Sequence, residues 1–173
     1  MAKRSTTDWA VLACLGEGAA HGFRLAGVFG GRQDLGFIWR IARPQVYRAL
    51  EYLSADRLIA AVRQEEGEAG PSRTVFALTQ AGRAELEHWL QAPVWHLRDG
   101  RSELLLKLAF LRRRGLPTRG LLVAQLEIFA DAERRYRAQL DGAEGLERIA
   151  LEWRLSVATA AVAFVRGQLE DAN

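Results

Sequence analysis

The sequence predicts a mainly α-helical chain: three helices with a two-stranded β-ribbon, then a wholly helical second half. Three observations predict it. Short amphipathic stretches broken by glycines fill the first half. Two β-prone runs, LIAAVR and RTVFAL, flank the polar, Gly- and Pro-bearing stretch EEGEAGPS. Beyond a joint at 91–100, marked by Pro93 and Gly100, apolar residues recur at helical spacing over long stretches.

Taken in order, Asp8 to Leu15 places Val11, Leu12 and Leu15 on one helical face, with Thr6 or Thr7 as the expected cap and Gly16 and Gly18 as the stop. A second helix is expected from His21 to Phe29, ended by Gly30 and Gly31. A linker through Asp34 and Gly36 leads to a third helix opening at Pro44, since proline lacks only an N–H that the first turn does not use. There Val46, Leu50 and Leu53 form a buried stripe, and Gln45, Arg48 and Tyr52 point outward. The ribbon, Leu58–Arg63 and Arg73–Leu78, follows, and Thr79 is expected to cap a fourth helix that buries Leu86, Trp89 and Leu90. This is the element order of a winged helix-turn-helix, assigned to residues 1–92.

Residues 93–173 are expected to form a helical dimerisation domain. Ser102 is read as the cap of ELLLKLAFLRR, and Thr118 as the cap of a helix to about Leu140 that carries Leu122, Leu126, Phe129 and Tyr136 near heptad spacing. The last helix, Leu146 to Leu169, carries two apolar stripes. Leu151, Leu155, Ala158, Val162 and Val165 line one side; Ile149, Trp153, Val157, Ala160 and Phe164 line the other. One antiparallel neighbour cannot cover both, so the second stripe is the expected dimer interface.

Composition narrows the function. The 173 residues (19.3 kDa) suit one ordinary domain or two small ones, and 49% hydrophobic residues suffice for a core. No stretch approaches the roughly 18 apolar residues of a membrane span, and MAKRSTTD does not read as a secretory signal, so a cytoplasmic protein is expected. The single cysteine, Cys14, rules out a disulfide within the chain. His21, His88 and His96 do not stand at metal-pair or triad spacing, and phosphate-loop and nucleophile-elbow motifs are absent. Neither an enzyme nor a cofactor or metal is expected.

Net charge is only +3, from 24 basic and 21 acidic residues, so placement matters more than the total. Arg40, Arg43, Arg48 and Arg57 face only Glu51 and Asp56 around the third helix. Arg43, Gln45, Tyr47 and Arg48 stand at its N-terminal end, where a helix in a major groove meets base edges. Arginine can fork to guanine and glutamine to adenine. In the ribbon, Arg63, Ser72 and Arg73 are expected to face the DNA backbone, while Glu65, Glu66 and Glu68 keep the tip in water. A winged-helix protein-interaction module without sequence-specific DNA binding remains the alternative, favoured by that acidic tip.

The chain resembles the PadR family of bacterial transcriptional regulators. The likeness is carried by AVLACLGEGAAHGFRL, by WRIARPQVYRALEYL from Trp39 to Leu53 with its Tyr47–Leu50 step, by Arg57–Ile59, and by PSRTVFALTQAG from Pro71 to Gly82. Phe23 and Phe76 depart from it, standing where the family often has tyrosine. The resemblance implies a homodimeric repressor of double-stranded DNA whose C-terminal helices pair. Tyr47 would then contact the phosphate backbone, Gln45 and Arg48 would read bases, and Arg73 would serve the wing. It also implies a small hydrophobic or aromatic effector, for which Trp95 and Trp153 are the candidate binding residues.

Overall fold

The computed structural model describes residues 4–31, 35–67 and 70–171. These divide into two compact units: one holds the residues up to Leu90 together with Leu105–Gly115, the other Gln91–Leu104 and the residues from Leu116 onward. The first begins with α1 (Thr6–Glu17). Its cap is Ser5, not Thr6 or Thr7: the Ser5 hydroxyl accepts from the Asp8 N–H (3.2 Å) while the Asp8 carboxylate accepts from the Ser5 N–H (2.9 Å). This reciprocal box satisfies two otherwise orphaned donors, which a lone threonine would not. Every residue from Ala10 to Leu15 is buried, so α1 runs through the centre of the unit.

Two elements were not expected. Ala20–His21 forms β1, which pairs with the second ribbon strand (Ala20↔Phe76, His21↔Val75) and makes the ribbon a three-stranded sheet. α2 (Gly22–Gly30) therefore starts one residue later than predicted, with His21 as its cap: the imidazole Nδ1 accepts from the Arg24 N–H at 3.1 Å. Leu35–Ile38 forms a short helix, α3, where a linker was expected, with Leu35 buried. Asp34, the first marker of that linker, lies outside the described residues.

α4 (Arg43–Ala55) is the helix expected at Pro44, and it buries Val46, Ala49, Leu50 and Leu53. It ends in a paired closure, with Leu58 N–H donating to Leu53 O (2.9 Å) and Arg57 N–H to Ser54 O (3.0 Å), and Arg57 takes φ = 58° to make it. The strands β2 (Ile59–Gly67) and β3 (Gly70–Leu78) are antiparallel and reach further into the polar stretch than predicted. Hydrogen bonding across the strands explains this: the Gln64 amide donates to the Thr74 hydroxyl (3.0 Å), and Glu65 stands opposite Arg73. Glu65 and Glu66 are thus strand residues; Glu68 lies outside the described residues.

Thr79 caps α5 (Gln80–Gln91) as predicted, accepting from the Gly82 N–H (3.0 Å) while donating to Arg57 O (2.8 Å). One hydroxyl thereby joins the end of α4 to the start of α5. Gly82 is needed because a Cβ there would lie 1.9 Å from the Leu58 carbonyl oxygen. An unbroken helical run follows: α6 (Leu97–Asp99), a π-helical turn at Gly100–Leu104 and α7 (Leu105–Arg113). Ser102, predicted as a cap, is buried inside that run, because the helix starts upstream at Leu97.

Within the first unit, the α7 residue Lys107 is 1% exposed and its ammonium lies 5.0 Å from the Trp89 ring centroid. Trp89 stacks on Trp9 (5.3 Å, 8° between planes), and the Arg4 guanidinium lies 5.4 Å from the Trp9 centroid. Arg113 forks to the Glu17 carboxylate at 2.7 and 2.8 Å, a second tie between α7 and α1.

In the second unit, α8 (Arg119–Leu140) and α9 (Gly145–Glu170) form an antiparallel hairpin. Thr118 occupies the cap position of α8, but its hydroxyl makes no capping bond. Gln125 is fully buried in α8, and its amide accepts from Val94 N–H (2.8 Å) and donates to Val94 O (2.9 Å), as a strand neighbour would.

The Gly82 contact gives a stability prediction. Gly82→Ala forces backbone atoms apart and is expected to cost about 3 kcal/mol; a urea midpoint close to that of the unchanged chain would refute it.

Candidate nucleic-acid interface

The N-terminal half of α4 is set with its polar side outward because Val46, Ala49, Leu50 and Leu53 take the inner side. Arg40, Arg43, Gln45, Tyr47 and Arg48 are all exposed. Each is engaged differently.

The Gln45 carbonyl oxygen accepts from the Ala42 N–H at 3.0 Å and so closes the helix start that Ala42 cannot cap itself. Its NH2 group stays available as a donor; the oxygen would have to leave the cap to complete a two-bond contact with adenine. The Arg48 guanidinium donates from Nε (3.1 Å) and Nη2 (3.0 Å) to the Tyr52 hydroxyl and lies 5.4 Å from that ring. The hydroxyl raises the Arg48 pKa further, and it fixes the direction of a long side chain. The Tyr47 ring packs against Gly22, where a Cβ would meet it at 2.9 Å; the small residue at the start of α2 makes room for it.

Arg43, Tyr47, Ser72 and Arg73 are brought to one cleft of about 800 Å³ between α4, the start of α2 and β3. The Arg73 guanidinium lies 4.5 Å from the Phe23 ring centroid, and that of Arg43 lies 5.3 Å from it. Phe23 was noted in the sequence only as a departure from tyrosine; its position between two arginines from distant segments has no signature in sequence spacing. Arg40 lies outside this cleft, in a neighbouring hollow that also takes in Phe23 and Arg43. Arg63 is also outside it. Its Nη2 and Nε meet the Glu65 carboxylate at 2.6 and 3.1 Å, and this bond holds Glu65 below the usual carboxylate range. The His21 Nε2 is 3.9 Å from the other Glu65 oxygen. Part of the wing's basic charge is therefore already neutralised within the wing.

In the second unit, α9 turns Leu151, Ala158, Val162 and Val165 inward. Ile149 (64%), Trp153 (72%) and Phe164 (41%) are exposed, and Ala160 with them; Val157 is half-buried. Trp95 is 76% exposed and shares a groove of about 850 Å³ with Trp153, Tyr136, Arg101 and Arg154. Trp9 and Trp89, by contrast, are the stacked pair, and the Trp39 indole N–H reaches the Thr7 hydroxyl at 3.5 Å. Among the described residues, no group of three or more His, Cys, Asp or Glu side chains is placed to hold a metal, and no helix is long and apolar enough to cross a membrane.

Residues 11–88 match the family model described as the Transcriptional regulator PadR-like family. The Mycobacterium tuberculosis protein named "Probable transcriptional regulator Rv1176c" is 31% identical over 96 residues, covering 56% of this chain. The match takes in 49% of that relative, so the chain spans about half the length of the curated relative it matches. Among solved structures, Bacillus subtilis PadR in complex with operator DNA aligns over 94% of this chain and 96% of its own, at 21% identity and a TM-score of 0.48. The Vibrio cholerae virulence activator AphA aligns over 95% of this chain and 96% of its own, at 24% identity and a TM-score of 0.43. From Val11 to His88, through α1, the sheet and α5, the chain is similar to the PadR-like family of transcriptional regulators.

Proposed function

We propose that the chain is a transcriptional regulator that binds an inverted-repeat operator as a homodimer and represses until a small effector binds. The observation that carries this is the outward face of α4, where Arg43 and Tyr47 share a cleft with Arg73 of the wing and Arg48 is exposed on the same helix. Exposed arginines at the start of a helix suit a major groove: the guanidinium forks to guanine, and the helix N-terminus favours phosphate. In this reading Arg48 reads a base, Tyr47 and Arg73 meet the backbone, and Arg40, Arg63 and Ser72 lie along its edge. Gln45 reads its base after giving up its cap.

DNA reading belongs to residues 1–92 and self-association to the helices of 93–173. One recognition helix reads only a few base pairs, and two roughly 34 Å apart would read successive grooves. The Ile149, Trp153, Val157, Ala160 and Phe164 stripe supports pairing, since exposed apolar residues at helical spacing favour burial against a second copy. Trp95 and Trp153 share a groove with Tyr136, which supports an effector with an apolar or aromatic body.

Selection of bound DNA from random duplexes, followed by titration at two salt concentrations, tests the reading. A palindromic site with affinity falling steeply as salt rises is expected, for a dimer neutralising on the order of 6–10 phosphates. Failure to enrich any sequence would favour the protein-interaction alternative. On the recovered site, Arg48→Ala is expected to relax base preference by about 1–3 kcal/mol at one position per half-site without altering the oligomer. For the interface, sedimentation of Ile149→Glu/Phe164→Glu at micromolar concentration should give a folded monomer; an unchanged dimer would move the interface elsewhere.

A further inference from the structure

Phe23 stands in the first turn of α2 with its ring 49% exposed, so hydrophobic burial does not account for an aromatic residue there. Its ring is used instead by charge. Arg73 approaches from β3 to 4.5 Å of the centroid, and Arg43 approaches from the first residue of α4 to 5.3 Å. Arg43 is also 5.7 Å from the Tyr47 centroid. The negative faces of these rings attract guanidinium and hold it without neutralising it. Among the described residues neither Arg43 nor Arg73 is bonded to a carboxylate; Glu51 lines the same cleft and pairs with neither. Two like charges gathered at one ring repel each other, and an anion between them removes that cost.

We infer that Phe23 is a positioning residue for DNA binding: its ring holds Arg43 and Arg73 together as a clamp for one backbone phosphate. The inference rests on the DNA-binding reading above. It gives the wing and the recognition helix a shared contact, since one ring sets the reach of an arginine from each. A guanidinium fork is suited to phosphate oxygens, and a side chain already oriented loses less freedom on binding. It also accounts for phenylalanine in place of tyrosine, because the work is done by the ring face and needs no hydroxyl.

The test uses the full chain and a duplex recovered by the selection described above. Phe23→Leu keeps an apolar side chain and removes the ring. It is expected to weaken binding about tenfold, the effect of losing two cation–π contacts. The slope of log affinity against log salt should also fall, by about 0.9 for each phosphate no longer neutralised. Phe23→Tyr and Phe23→Trp restore both values. In an Arg43→Ala/Arg73→Ala background, Phe23→Leu should have almost no further effect. If Phe23→Leu binds and responds to salt like the unchanged chain, or weakens the double-alanine variant equally, the clamp is wrong while DNA binding stands. Should Phe23→Leu fail to fold, Arg73→Ala decides: a salt slope equal to that of the unchanged chain overturns the clamp. If the unchanged chain binds no duplex, the clamp falls with the reading on which it rests.

Discussion

A buried lysine at the end of an aromatic stack organises the first unit. Lys107 would be costly inside the protein, since an ammonium loses several kcal/mol of hydration there. Trp89 presents a ring face to it as one of its contacts, and Trp89 is itself stacked on Trp9, against whose ring Arg4 also lies. The aromatic pair adds about 0.5–1.5 kcal/mol beyond the area it buries, and each cation about 0.5–2 kcal/mol more. Those four side chains come from the segment before α1, from α1, from α5 and from α7. The stack therefore fixes where α7 lies on α1, and the Arg113–Glu17 fork holds its other end. α4 packs on the same central helix, so the polar face that α4 presents inherits its orientation from this arrangement.

Electrostatics follow placement. A net charge of +3 is little for the DNA binding proposed above. What the fold does is bring arginines from separate segments to one side while pairing others away: Arg4 with Asp56 and Glu85, Arg63 with Glu65, Arg137 with Glu133. Arg43, Arg48 and Arg73 lie on rings instead of carboxylates and keep their charge. Surface ion pairs add little to stability, so the pairing matters mainly for where positive potential survives.

Much of this was legible in the sequence, for identifiable reasons. The α4 stripe of Val46, Leu50 and Leu53 dictates which side chains must face outward, and Thr79 announces α5 as a hydroxyl cap. The two apolar sides of α9 were likewise readable, because burial by one neighbour cannot exceed about half a helix. What escaped depended on partners far along the chain. β1 is two residues long and exists only because β3 offers free backbone groups. Ser102 has the chemistry of a cap, yet the helix starts before it. Gln125 is buried and paired to the Val94 backbone, a partner far back along the chain. Phe23 gains its meaning from arginines that only the folded chain brings to it.

The arginine bias has a consequence for how such a surface could be modified. Of the two lysines in the chain, Lys3 lies outside the described residues and Lys107 is sealed in the stack. Every other permanently charged basic side chain among the described residues is a guanidinium, which does not lose its proton in a folded protein. Acetylation, which silences lysine charge elsewhere, finds no accessible lysine among the described residues. Amine-directed crosslinkers and labels likewise find no accessible lysine among the described residues. The field of Arg43 and Arg73 is therefore out of reach of lysine acetylation, and salt, a bound anion or mutation remains able to change it.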